Sequence, residues 1–270
     1  MLRTCMKPIT SISDYISAIK SFRQKIDAPS NLLFRGQSNS EWNIESSLER
    51  CGIDCISFKD YYTSIDYLKP EVNSYGHKFE RKIIAPKGYD SNFTDFHTID
   101  INGLPEIQYM TYLRHHGFPS PLVDVSKSEY IALFFACEDV VQNKLGPNGK
   151  VFVLQENLWN VHSVDYASIY EIGHYIETDS RHIVQQSEYL VTTRFDTKEE
   201  MWFFDPFSLS SEKLSSYIEI EIDASAKADL LNELDKMNIN HYTLYQDEDS
   251  LMRKLQFEFL QNRGIFSSCK

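Results

Sequence analysis

Charged and hydrogen-bonding side chains that stand directly beside apolar runs are this chain's candidates for chemistry, because a packed backbone holds such groups in fixed positions. Four segments have that form. In Leu33-Phe34-Arg35-Gly36-Gln37-Ser38 an arginine follows an apolar run. It is either one half of an ion pair at the edge of the core or a clamp whose planar fork grips an anion, and Gly36 lets backbone or ligand come close. In the second segment His115-His116-Gly117 precedes Asp124 and Ser126. Alternation along a strand puts Leu122, Asp124 and Ser126 on one face, so a carboxylate and a hydroxyl could enter one site; equally, Asp124 could cap the next helix and His115 be satisfied in the core. Ser126, His115 and Asp124 have the composition of a hydrolase triad, but no Gly-x-Ser-x-Gly elbow surrounds the serine. The third segment is Arg181-His182-Ile183-Val184-Gln185-Gln186-Ser187-Glu188-Tyr189. There Gln186 and Glu188, two apart at the start of a strand, would share a face, or the segment is only a solvated strand entrance. The fourth, Tyr245 to Ser250, reads as an acidic turn that caps a helix, without the loop glycine and distal glutamate that calcium needs.

These residues need elements to position them. Tyr15, Ile16, Ile19 and Phe22 recur at helical spacing in a helix from Ser11 to about Lys25, capped by Ser11 or Ser13. Leu32-Leu33-Phe34 is a buried strand that delivers Arg35 at its end. Residues 55–86 read as mainly helical and 87–102 as a loop. A helix is expected from Leu104-Pro105 to His116, stopped by Gly117, then a strand at Pro121–Val125 and a helix at Lys127–Asp139 whose middle is apolar all round. Further strands are expected at Val151–Leu154, Tyr189–Thr193, Met201–Phe204 and Tyr217–Ile222. In the last, Ile218, Ile220 and Ile222 alternate with Glu219 and Glu221. Two amphipathic helices close the chain, one with Leu230, Leu231, Leu234 and Met237, the other with Leu251, Leu255 and Leu260. No linker interrupts this order, so residues 1–270 read as one mixed α+β domain.

Composition narrows the function. Thirty-nine acids against 27 bases leave a net charge of −12, a field that repels phosphate backbones and disfavours general nucleic-acid binding. The longest run without a polar residue, Tyr130–Cys137, is eight residues, against the roughly 20 of a membrane-spanning helix. With no apolar leader after Met1 either, the chain is expected in the cytoplasm, away from membranes. Five scattered cysteines suit reduced thiols. Cys51 and Cys55 lack a second Cys/His pair at ligand spacing, so no metal is expected.

Taken in order, the motifs resemble those of the FRG-domain family: Phe34-Arg35-Gly36-Gln37 with Trp42 just after; His115-x-Gly117-x-Pro119-Ser120 and Leu122-x-Asp124-x-Ser126 leading to Ala132-Leu133-Phe134-Phe135-Ala136; Arg181 with Gln185-Gln186 before a strand; and an acidic turn opening the last helix. The resemblance runs over about residues 25–260. The chain departs from the family pattern at Pro121, where arginine is usual, at Val125, usually tryptophan, and at Ser187, usually glycine. Such a resemblance implies a bacterial effector of the toxin or antiphage-defence kind.

A more distant similarity is to ADP-ribosyltransferases, which carry an early-strand arginine, a later Ser/Thr strand and a Gln/Glu-x-Glu strand. Arg35, Ser126 and Gln186-Ser187-Glu188 fall in that order. This similarity implies a short-stranded, split β-sheet core flanked by helices, with NAD as substrate. Glu188 would stabilise the oxocarbenium charge that builds as nicotinamide leaves, Ser126 would orient Glu188, and Gln186 would contact the acceptor or the ribose. Arg35, Gly36, Gln37, His115, Asp124, Arg181 and Gln185 would surround the nucleotide, and an acceptor or partner protein would complete the reaction. Two alternatives stand beside it: a non-catalytic ligand-sensing module in which Arg35, His115 and Asp124 line a pocket, and a nuclease or hydrolase that uses His115 and Asp124.

Overall fold

The Ser11 side chain accepts the Asp14 amide at 3.1 Å and so starts α1 (Ile12–Arg23), whose Tyr15, Ala18, Ile19 and Phe22 are buried along one stripe. This is the first element of a computed structural model that describes residues 7–26, 31–80, 104–141, 146–155, 168–172, 176, 180–207 and 217–266. In chain order it continues with β1 (Leu32–Gln37), α2 (Ser47–Arg50), β2 (Ile56–Ser57), α3 (Phe58–Asn73), α4 (Ile107–His115), β3 (Val123–Ser126), α5 (Glu129–Cys137) and a single 3₁₀ turn, Glu138–Val141. There follow β4 (Gly149–Gln155), β5 (Ser168–Glu171), α6 (Ser180–Val184), β6 (Ser187–Asp196), β7 (Met201–Phe204), β8 (Tyr217–Ile222), α7 (Lys227–Lys236), α8 (His241–Tyr245) and α9 (Glu248–Asn262). Residues 81–103 lie outside the described residues, and with them the expected loop at 87–102 and the end of the expected helical stretch 55–86.

The strands form one α+β sheet in the order β2-β7-β6-β3-β1-β4-β8, with β5 beside β6. All of these pairings are antiparallel. The sheet nevertheless has two halves. β1 runs along β4 from Leu32↔Gln155 to Gln37↔Lys150, and β3 runs along β6 from Val123↔Leu190 to Ser126↔Ser187, but β1 and β3 meet at the single pair Phe34↔Ser126. Beyond that pair the strands part, and the Arg35 guanidinium lies in the opening, where its Nη1 donates to the Asp124 carbonyl at 2.5 Å. A side chain thus takes an acceptor that lies where the ladder would have continued, which keeps a buried carbonyl satisfied.

Registers and alternation assign the faces. Phe34, Val151, Val153, Ile220 and Ile222 point to one side and pack with α1, α5 and α7 in one core cluster. Leu122, Tyr189 and Val191 point to the same side of the other half and pack with α3 and α4 in a second. Leu33, Val123, Val125, Phe152, Leu154 and Leu190 face the opposite way and pack with Ile44 and Phe207. The α5 helix sits so close to β1 that a Cβ on Gly36 would lie 1.8 Å from the Ala132 carbonyl oxygen. Gly36 therefore admits the backbone of a helix.

Local reasons correct three expected boundaries. The helix expected from Leu104-Pro105 begins at Ile107, because Glu106 takes a left-handed φ of 60°. The helix expected at Lys127–Asp139 is shorter, capped by Ser128 and followed by the 3₁₀ turn. The segment before β6 is the short helix α6, and Gln186, at φ 46°, turns the chain between the two. Gln186 is exposed and precedes the strand, whereas Glu188 is buried within it. The expected shared face does not form.

Candidate functional site

Where β1 and β3 separate, a cleft of about 730 Å³ opens, lined from both halves of the sheet. Its inner end is built by arginines. Arg35 comes from β1, Arg114 from the last turn of α4, and Arg50 from the end of α2. Nη2 of Arg114 pairs with Oδ2 of Asp124 at 2.5 Å, and Nη1 of Arg50 donates to the Glu45 carbonyl at 2.9 Å. The α2 helix is fixed by a capping box in which Ser46 and Glu49 satisfy each other's backbone amides.

Burial, and then repulsion from Arg114 and Arg50, pull the Arg35 guanidinium down to about 10, against the attraction of Asp124. Arg50 is lowered too, first by partial burial and then by Arg114. Nε of Arg35 and Nε of Arg114 are buried with no hydrogen-bond partner among the described residues. The inner end of the cleft is thus rich in donors, some of them unsatisfied, with Asp124 and Glu45 as the carboxylates that attract the arginines.

The other wall comes from the second half of the sheet and the C-terminal helices. Ser126 and Ser187, which pair across β3 and β6, both line the cleft. The Ser126 hydroxyl donates to the Gln185 carbonyl at 2.8 Å and accepts the Ser128 amide at 3.0 Å, so it ties α6 to the start of α5. Gln185 in turn donates to the Leu244 carbonyl at 2.9 Å. The Arg181 guanidinium lies 5.0 Å from the Tyr245 ring centre and reaches Asp247, the cap of α9, at 3.4 Å. Tyr245 donates its hydroxyl to Oε2 of Glu138 at 3.0 Å. Burial pushes the Glu138 carboxyl up to about 7, against the lowering effects of Tyr245 and Arg253. Trp42 lines the cleft while 53% exposed.

Arg35, Gly36, Gln37, His115, Asp124, Ser126, Arg181 and Gln185 all line this cleft, although they come from four separate stretches of chain. Gln37 is held by a 3.0 Å bond from its Nε2 to the Asn43 carbonyl. Nε2 of His115 meets the Tyr189 hydroxyl at 2.8 Å, and His182 approaches the same hydroxyl at 3.4 Å.

Glu188 and Gln186 are not among the lining residues. The Glu188 carboxylate is 2% exposed, on the face opposite Ser126 and Ser187, and its Oε1 pairs with Lys127. Ser126 therefore does not orient Glu188. Sequence reasoning passed over Arg50, Arg114 and Glu138, and took Tyr245 only as the start of an acidic turn. The Ser46-x-x-Glu49 box was legible as the start of a helix, and Arg114 as the neighbour of a singled-out histidine. Nothing local marked Glu138, because its importance comes from burial against a helix more than a hundred residues away.

Val125 and Ser187, two of the positions where the chain departs from the expected family pattern, also line the cleft. A comparison with curated proteins and one with solved structures returned no match. A family model described as the FRG domain matches residues 30–144, the stretch that holds β1, α2, α4, β3 and α5 and hence Arg35, Arg50, Arg114, Asp124 and Glu138. The α6–β6 segment with Gln186 and Glu188 lies beyond it. By that match, carried by the residues that build the inner end of the cleft, residues 30–144 of the chain are similar to the FRG domain.

Proposed function

We propose that this chain binds a phosphate-bearing nucleotide in the cleft between β1 and β3, with NAD as the first ligand to test. One observation carries the reading: three guanidinium groups converge on a partly buried site, two of them with buried Nε donors that lack a partner among the described residues, where Asp124 and Glu45 are the carboxylates that attract them. Holding guanidinium groups close together in low dielectric is unfavourable unless an anion joins them, and planar forks grip phosphate oxygens better than ammonium groups do. Trp42, Phe135 and Tyr245 give the same cleft aromatic surface for a base.

Calorimetric titration with NAD, ADP-ribose and pyrophosphate tests this. Binding of the nucleotides, weakened in Arg50→Ala, supports the reading; absence of heat with all three removes it. Following the family resemblance, we place the protein among bacterial toxin or antiphage-defence effectors. Growth on expression of the wild type beside Arg50→Ala tests that setting.

The placement of Glu188 favours a second reading, in which the cleft recognises its ligand without transforming it. Glu188 is absent from the cleft lining and its carboxylate is engaged by Lys127, so it is not placed to act on a ligand held by Arg35 and Arg114.

A further inference from the structure

The cleft holds a carboxyl group that the preceding assignments leave unused. Glu138 opens the 3₁₀ turn that follows α5, lines the cleft, and uses Oε2 to accept from Tyr245 at 3.0 Å. Oε2 carries the Tyr245 bond, and no hydrogen bond to Oε1 is seen among the described residues. No cation within ion-pair distance neutralises the group among the described residues. The charged and titratable groups around it are Tyr245 on α8, which bonds it; Arg253 on α9, which attracts its charged form; Asp139, which repels it; and His241, held by the Glu138 backbone. Arg181 lies over the Tyr245 ring and pairs with Asp247.

A merely structural residue at such a place would be apolar or neutral, since burying a lone carboxyl is unfavourable. Two carboxyl groups that line the cleft are also in opposite environments. Asp124 is salt-bridged to Arg114, while burial pushes Glu138 up to about 7. Carboxyls separated in this way are the pattern of acid–base work at a sugar.

We infer that Glu138, oriented by Tyr245, is the catalytic carboxylate of an N-glycosidic cleavage of the nucleotide bound in the cleft. This rests on the nucleotide reading above. With the diphosphate on Arg35, Arg50 and Arg114, the bond between the ribose anomeric carbon and the base nitrogen breaks, and its electron pair leaves with the base. The cation formed at the sugar faces the Glu138 carboxylate. A water oxygen then bonds to the anomeric carbon and gives a proton to Glu138, which returns it to solvent. With NAD the products are nicotinamide, ADP-ribose and one proton, and no oxidant or reductant takes part. Tyr245 is a positioning residue.

The test uses NAD with the full chain, measuring calorimetric affinity and nicotinamide release in parallel. Glu138→Gln is expected to keep its affinity and to lose release by about 100-fold or more. Tyr245→Phe keeps the ring and removes a bond that favours the charged carboxyl, so the pH midpoint of release is expected to move upward. If the wild type binds NAD and releases no nicotinamide, or if Glu138→Gln releases it at the wild-type rate, the inference is overturned and the binding reading stands. If NAD does not bind at all, both fall.

Discussion

Single residues decide how this cleft handles charge. Arg35 is fixed by the sheet, Arg114 is tied to Asp124, and Arg50, anchored through the Glu45 carbonyl, is the one whose removal disturbs the fold least. Arg50→Ala is expected to weaken nucleotide binding by about tenfold, the size of one charge-assisted hydrogen bond, with an unchanged urea midpoint. Glu188 should behave in the opposite way. Glu188→Gln leaves Lys127 without its carboxylate on a buried strand, so a loss of about 1–3 kcal/mol in urea unfolding is expected, with nucleotide affinity intact. Glu138 adds a pH dependence whose sign follows from burial. Its folded value, about 7, lies above the ordinary 4.5, so the wild type is best off with the group protonated and loses stability as pH rises through that interval. Glu138→Gln is neutral throughout. Its stability relative to wild type should therefore increase from about pH 4.5 to about pH 7 and then level off, as read from urea midpoints across that range.

At the scale of elements, the site depends on two strands that part and a helix that presses against one of them. Gly36 and Gly149 each face an α5 carbonyl, Ala132 at 1.8 Å and Ala136 at 2.2 Å from where a Cβ would stand. Both contacts are with backbone and leave no flexible side chain to give way. Gly36→Ala is expected to destabilise the fold by about 1–3 kcal/mol, measured by urea unfolding, because α5 must move away from β1. The sequence placed Gly36 correctly as a close-approach glycine, but a motif does not say what approaches. Most of the longer elements were legible, since α1, β8 and α9 carry their periodicity, and the two helices their caps, within or directly beside their own residues. The short ones, β2, β5, α6 and α8, were not, because two to five residues hold too few periodic positions to stand out.

For the whole molecule, a chain of net charge −12 carries its converging arginines inside a cleft. The long-range field repels polyanions while the local field receives a small one, which fits a nucleotide and not a nucleic-acid strand. Raising ionic strength from low to near-molar salt is expected to weaken NAD binding only several-fold, because buried pairs are screened less than exposed ones. A much steeper salt dependence in the same titrations would place the anion on the outer surface. Among the described residues no helix is long and apolar enough to cross a membrane.

The amino-acid order alone determined the class of fold, the strand that ends in Arg35, the union of His115, Asp124 and Ser126 near one another, and the family motifs. Each depends on neighbours within a few residues of one another. Tertiary structure decided which polar groups share a space. After a one-residue turn at Gln186, the register puts Ser187 on the face of Ser126 and Glu188 on the face of Val125, since strand periodicity is two and any shift reverses every side chain. The parting of β1 from β3 and the packing of α8 against Glu138 join residues far apart along the chain, and no local pattern encodes such a meeting.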